Sequence, residues 1–167
     1  MFDDLLDANR RYRERFHDSG VKGAAARGLA VVTCIDSRID PLAALGLRPG
    51  DAKIIRNAGA RITDDVLRSL VVAVNVLGVN RVCLMQHTEC AMFSTTEAAL
   101  HARIREQRGV DASGWDFLVG TDQLATLGDD LARIRACPLL PHDLAVGGFM
   151  FDVHSGGLVE IQGDPDA

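Results

Sequence analysis

Two things are scarce in this sequence: cysteine and long apolar runs. Four cysteines in 167 residues are too few for a disulfide scaffold, and such sparse thiols fit a reducing compartment, where they bind metal or lie buried. The longest apolar stretch, Leu70 to Val79, is interrupted by Asn75 and is too short to cross a bilayer. The N-terminus, MFDDLLDANRR, mixes acids and bases where a signal peptide would be basic and then apolar. Basic charge is also short, with 18 Lys and Arg against 23 Asp and Glu and a net charge of -5, which argues against general nucleic-acid binding. No internal repeat, low-complexity segment or second domain is visible. These absences predict a cytoplasmic protein with neither nucleic-acid nor membrane partners.

What is present suits one folded domain. The chain is 47% hydrophobic and 25% charged, ordinary for a globular protein long enough to bury a core. Residues 3–17 read as an amphipathic helix with a sparse apolar face (Leu5, Leu6, Tyr12, Phe16), suited to packing on another subunit. A Gly/Ala-rich connection from Gly20 to Gly28 follows. Leu29 to Thr33 is a short β-branched run that reads as a buried strand ending at Cys34. Pro41 to Leu47 reads as a helical turn closed by Pro49-Gly50, and Ala52 to Ile55 as a second strand running into Arg56-Asn57-Ala58-Gly59. Thr63 caps a helix that starts with Asp64 and Asp65 and runs through Leu77 to a stop at Gly78. Apolar positions nearly encircle that helix, which predicts deep burial.

Arg81 to Gln86 is a third strand ending at His87. Ser94 with Glu97 matches a capping box for a helix to about Arg108. Residues 109–120 read as loop and Asp122 to Ala136 as a helix. Ala145 to Val153 and Leu158 to Gln162 read as a hairpin around His154-Ser155-Gly156-Gly157. Strands alternating with helices predict a single-domain α/β fold: a mostly parallel central sheet of about four parallel strands plus an antiparallel edge strand, flanked by helices. The expected division is an N-terminal helical arm over 1–28, a catalytic α/β domain over 29–162 and a flexible tail over 163–167.

Metal-ligand chemistry gathers just past two strand ends, where open α/β sheets bind ligands. One segment is Cys34-Ile35-Asp36-Ser37-Arg38, the other His87-Thr88-Glu89-Cys90. Two thiolates and an imidazole from Cys34, Cys90 and His87 make a three-ligand zinc set that leaves a fourth position free. Asp36 is the available fourth ligand. Directed at the metal, it closes the site. Held by a forked ion pair with Arg38, it leaves the site open and can orient a water. Each short pattern alone is weak, since a buried Cys is more often a small hydrophobe. Together, each at a strand end, they are a strong signal.

C-x-D-x-R (Cys34, Asp36, Arg38), then R-N-A-G (Arg56, Asn57, Ala58, Gly59), then H-x-x-C (His87, Cys90) resembles the β-class carbonic anhydrases. Supporting likeness lies in Leu45 to Ala52, Thr63 to Leu70 and Gly148 to Leu158. It covers roughly residues 25–162 and is nearest the short actinobacterial-type branch. The resemblance implies reversible hydration of carbon dioxide to bicarbonate by attack of a zinc-bound hydroxide. It assigns one zinc per subunit to Cys34, His87 and Cys90, catalysis to Asp36 and Arg38, and the substrate pocket to Ala58 and Gly59. It also implies a homodimer, in some members paired into a homotetramer, with the first helix laid over the neighbour. Two positions depart from the family pattern. Ala91 follows the second zinc cysteine where Gly is usual, which would strain the turn if it needs a positive φ. Gln86 stands before His87 where many members have Gly or His. Some relatives hydrolyse carbonyl sulfide or carbon disulfide at the same kind of site, which is one alternative; a non-enzymatic structural zinc module closed by Asp36 is another.

Plainer readings cover the remaining reactive groups. Cys83 and Cys137 are expected to be packing residues. His17, His101, His142 and His154 default to solvated surface, although one of them is placed to relay protons if it lies near the site. Glu89 is expected to face solvent or to support the site from outside. Arg56 is a candidate for binding bicarbonate or, at least equally, for pairing with Asp65. Asp129-Asp130 reads as a solvated helix face.

Overall fold

A computed structural model describes residues 1–18 and 20–161. Its centre is a five-stranded sheet in the order β2-β1-β3-β4-β5, with β1 Leu29–Cys34, β2 Ala52–Asn57, β3 Arg81–His87, β4 Ala145–Phe151 and β5 Leu158–Ile161. The first four strands pair in parallel and β5 runs antiparallel to β4, as the alternating pattern predicts. β1 and β3 are covered on both faces and almost wholly buried, which is why their sequences are unbroken apolar runs rather than alternating ones. The tail expected over 163–167, and Gln162 at the end of the hairpin, lie outside the described residues.

Among the described residues five α-helices complete the fold: α1 Asp3–Arg15, α2 Pro41–Ala44, α3 Asp64–Val76, α4 Glu97–Arg108 and α5 Gln123–Arg135. Local chemistry sets their ends. The Asp40 carboxylate accepts from the backbone N–H groups of Leu42 and Ala43, with Pro41 at the first helical position. Thr63 accepts from Val66 N–H and Asp122 from Ala125 N–H, satisfying donors that a helix leaves without partners. The capping box expected from Ser94 and Glu97 does not form. Thr96 is the cap, accepting from Ala99 N–H; Ser94 donates back to the Ala91 carbonyl, and Glu97 instead accepts from Val119 N–H at 2.9 Å.

Burial of α3 is also one-sided. Val66, Leu70 and Ala73 enter the core, but Val72 and Val76 are 42% and 72% exposed. The acids expected to form a solvated face on α5 divide. Asp129 is exposed, whereas Asp130 is buried and paired with Arg61 Nε at 2.7 Å. Arg61 also donates to the Leu118 carbonyl at 2.8 Å, so this pair ties the turn after β2 to α5 and the loop before it. α1 buries no residue of its own, leaving Leu5, Leu6, Tyr12 and Phe16 exposed. Cys83 is in the core and Cys137 is half-buried. Among the described residues no helix is long and apolar enough to cross a membrane.

Candidate metal centre

The chain leaves β1 to one side to form β2, then returns to place β3 on the other side of β1. This reversal opens a crevice beyond the C-terminal ends of β1 and β3, the place where such sheets bind ligands. β1 ends at Cys34 and β3 at His87, so sheet register alone delivers one thiol and one imidazole to the crevice. The turn after β3 brings Cys90 back. The ligand atoms of Cys34, His87 and Cys90 lie within 4.8 Å of one another, and all three residues are buried.

This donor set fits zinc. The two sulfurs are 3.9 Å apart, against about 3.8 Å for two thiolates on one tetrahedral zinc. His87 Nδ1 donates to the Thr88 carbonyl at 2.8 Å. A carbonyl only accepts, so the proton sits on Nδ1 and the Nε2 lone pair is left free. Nε2 is buried with no protein partner, an orphan that a metal satisfies. Gln123 holds the strand end by donating to the His87 carbonyl at 2.9 Å. The Cys34 thiol is pulled well below the ordinary thiol range by the S–H of Cys90, against the opposing effect of burial and with help from the backbone N–H groups of Asp36 and Gly59. Cys90, which keeps the proton, is pushed up by the same bond.

Asp36 is turned away from full ligation. Its two oxygens take a fork from Arg38, Nε to Oδ1 at 3.0 Å and Nη2 to Oδ2 at 2.8 Å, the bidentate geometry that an arginine's planar donors favour. Oδ1 also accepts from Arg38 N–H. These bonds hold the Asp36 carboxyl well below the usual carboxylate range. Oδ2 nevertheless faces the ligands, 3.9 Å from His87 Nε2. Three candidate ligands converge, and the carboxylate stands beside them with Arg38 keeping it to one side. Of the two arrangements that the sequence leaves open, the structure has Asp36 on Arg38.

Arg56 neither pairs with Asp65 nor projects into the crevice as a free cation. It donates to three backbone carbonyls of the first ligand loop: Cys34 at 2.8 Å, Asp36 at 2.7 Å and Ile39 at 3.1 Å. Asp65 is taken by Arg68. Gly59 has φ +77°, and a Cβ there would lie 3.2 Å from Met92 Cβ. A glycine therefore lets the R-N-A-G turn approach both Cys34 and the segment after Cys90. Ala58, the other residue assigned to the pocket, is exposed. No strain falls on Ala91, which opens a single 3-10 turn and is not among the positive-φ residues; the left-handed position is Glu89, with φ +55°.

Glu89 connects two residues that spacing alone does not bring together. Its Oε2 accepts from Arg38 Nη1 at 3.2 Å, and its Oε1 lies 3.0 Å from His154 Nε2. His101 sits away from these groups, donating to the Trp115 carbonyl at 2.8 Å with Glu97 at 3.5 Å. Gln86 is 1% exposed, and neither of its amide atoms has a protein partner.

The comparisons agree with this geometry. A family model described as carbonic anhydrase matches residues 29–112, the stretch that carries all three ligands. Beta-carbonic anhydrase 1 of Mycobacterium tuberculosis is 34% identical over 95% of this chain and 96% of its own length. A carbon disulfide hydrolase of Saccharolobus solfataricus is 29% identical over 93% of this chain and 88% of its own. Among solved structures, the carbonic anhydrase of Streptococcus mutans superposes with a TM-score of 0.91 and 37% identity, covering 96% of this chain and 97% of that one. With the sheet, the ligand set and the relatives in agreement, the chain belongs to the β-class carbonic anhydrases.

Proposed function

We propose that Cys34, His87 and Cys90 hold the zinc of this carbonic anhydrase, that Asp36 and Arg38 are its catalytic pair, and that Ala58 and Gly59 line the substrate pocket. The reaction is the reversible hydration of carbon dioxide to bicarbonate and a proton. Held by those three residues, a zinc ion would supply a hydroxide near neutral pH. The chain's own residues orient the attack. Two thiolates cancel the charge of the ion, so the acidity of the site depends on what surrounds it. Asp36 Oδ2 faces the ligand cluster and can accept a hydrogen bond from the attacking oxygen, aiming its lone pair at the carbon. Arg38 keeps that carboxylate ionised and off the metal.

One observation carries the reading: three ligand atoms gather within 4.8 Å while Asp36, the carboxylate beside them, is forked onto Arg38. A structural site closed by Asp36 has no use for that fork. The direct test is stopped-flow hydration of carbon dioxide by the zinc-loaded protein from about pH 6.5 to 9, bracketing a metal-water pKa near 7. Activity rising toward alkaline pH is the expected result. A zinc-loaded protein with no hydration at any pH overturns it and favours the second reading, hydrolysis of carbon disulfide or carbonyl sulfide, which the Saccharolobus relative suggests.

The working form in this reading is a cytoplasmic homodimer, with the 1–28 arm crossing to the neighbour. Its support is that α1 buries nothing within its own chain and that Val72 and Val76 leave an apolar face on α3 uncovered. A further pairing to a tetramer is read out by light scattering on the same sample.

A further inference from the structure

Arg38 is held from two sides. One edge of its guanidinium forks onto Asp36. The other edge reaches the second ligand loop, with Nη1 on Glu89 Oε2 at 3.2 Å and Nη2 on the Glu89 carbonyl at 3.3 Å. Glu89 in turn is gripped from outside, because His154 Nε2 sits 3.0 Å from its Oε1. His154 is itself fixed by the tip of the β4–β5 hairpin. Its N–H and that of Ser155 donate to Asp152 Oδ1 at 2.8 and 3.4 Å, and Gly156 N–H closes the turn on the Asp152 carbonyl. The hairpin is stapled to the same loop twice more, by Thr88 N–H on the Phe151 carbonyl at 2.9 Å and by Val153 N–H on Thr88 Oγ1 at 3.2 Å.

From this chain of contacts we infer that His154 and Glu89 form a positioning arm that fixes Arg38, and through it Asp36, beside the metal centre. A fork held on one edge only can pivot as a rigid pair, carrying Asp36 toward the ligands. Anchoring the far edge to the loop that carries Cys90 removes that freedom. Neither His154 nor Glu89 needs to touch substrate. The inference rests on the reading of Asp36 and Arg38 as the catalytic pair.

His154 is a cation below its own titration range and holds Glu89 more firmly there. The charged groups facing it are Glu89 from the ligand loop, Asp152 from its own turn and Arg38 across the gap. The test compares the zinc-loaded full chain with His154→Ala, His154→Lys, Glu89→Ala and Glu89→Gln. It measures kcat and KM from about pH 6 to 9, and the hydrogen exchange of the Arg38 Nε–H in 15N-arginine-labelled protein, assigned with Arg38→Lys. In His154→Ala and Glu89→Ala, kcat falls about two- to fivefold at the acid end, the range that an exposed ion pair supports. KM is unchanged, and Arg38 Nε–H exchange quickens. His154→Lys and Glu89→Gln recover part of both losses, and the His154→Ala profile meets the wild type at alkaline pH.

Unchanged Arg38 exchange, or altered exchange with kcat untouched, overturns the arm. His154 is exposed, so its variants decide the matter if Glu89→Ala fails to fold. If the wild type hydrates no carbon dioxide, the functional reading fails, while the Arg38 signal still shows whether the arm holds the guanidinium.

Discussion

Replacing Arg56 separates two accounts of the same residue. In the structure its guanidinium clamps the carbonyls of Cys34, Asp36 and Ile39, so Arg56→Met removes three hydrogen bonds from a charged donor. Each such bond is worth about 1.5–3 kcal/mol when severed. Asp36 is only half-buried and water can reach its loop, which places the total at the low end, about 4.5 kcal/mol. For a domain of this length each kcal/mol moves Tm by about 2–4 °C, giving a fall of about 9–18 °C. The same loop carries one proposed metal ligand and the proposed catalytic carboxylate, so on that reading a displacement of an ångström costs on the order of a hundredfold in kcat. Lysine keeps the charge but not the planar fork, so Arg56→Lys recovers only a minor part of either loss. Calorimetry at matched protein concentration, with zinc content and stopped-flow rates on the same samples, checks all three figures. An Arg56→Met protein with wild-type Tm and kcat but a raised KM refutes the clamp and restores Arg56 as a bicarbonate-binding cation.

The remaining predictions concern the centre and its supports. Cys34→Ser and His87→Ala are expected to lose stoichiometric zinc in metal analysis after dialysis, and a strong chelator to abolish wild-type hydration reversibly. Arg38→Ala frees Asp36 to reach the metal, so zinc is retained while hydration falls; equal activity in the variant would remove Arg38 from the mechanism. The stabilisation that Asp36 gains from Arg38 is fully present above the ordinary carboxylate pKa, because its folded pKa is depressed. It is lost only as pH falls from that value through the lower folded one, so Tm curves of wild type and Asp36→Asn run parallel at neutral pH and converge in strong acid. Asp130→Ala strands the half-buried Arg61 charge and is expected to cost about 3 kcal/mol, the low end for a buried pair, in chemical denaturation. Gly59→Ala forces a methyl into a left-handed position for about 1–2 kcal/mol, and against Met92 as well, which should weaken zinc retention along with stability.

The sheet was legible because β1 and β3 are buried on both faces, and burial of that kind writes itself as unbroken apolar runs. Two of the three proposed metal ligands were legible because Cys34 and His87 end such runs, and the third, Cys90, follows His87 by one turn. Other features left no such mark. Ser94-x-x-Glu97 satisfies a local capping rule, but the Val119 backbone competes for Glu97 from a distant loop. Asp130 looks like half of a solvated pair, and only the approach of Arg61 from 69 positions away explains its burial. Arg56 reads as a charge in sequence, but three of its donors go to carbonyls whose positions depend on the loop's path. The apolar girdle of α3 suggests full burial, yet two of its valines face outward, because apolar spacing along a helix does not say which positions meet the core of the same chain. His154 and Glu89, 65 residues apart in sequence, meet only because the hairpin folds over the ligand loop.

The three ligands also bear on the order in which this protein assembles. His87 and Cys90 share one turn, but Cys34 joins them only when β1 has paired with β3 in register, which closes a long stretch of chain. Loops of that length form late relative to local structure. The complete donor set therefore does not exist in the unfolded chain, and zinc meets at most the His87–Cys90 pair before the middle of the sheet is built. The ion then acts as a lock set on a finished sheet rather than as a seed for it. Free zinc should slow unfolding far more than it speeds refolding, and the cell's zinc supply would govern how long each molecule lasts as well as whether it works.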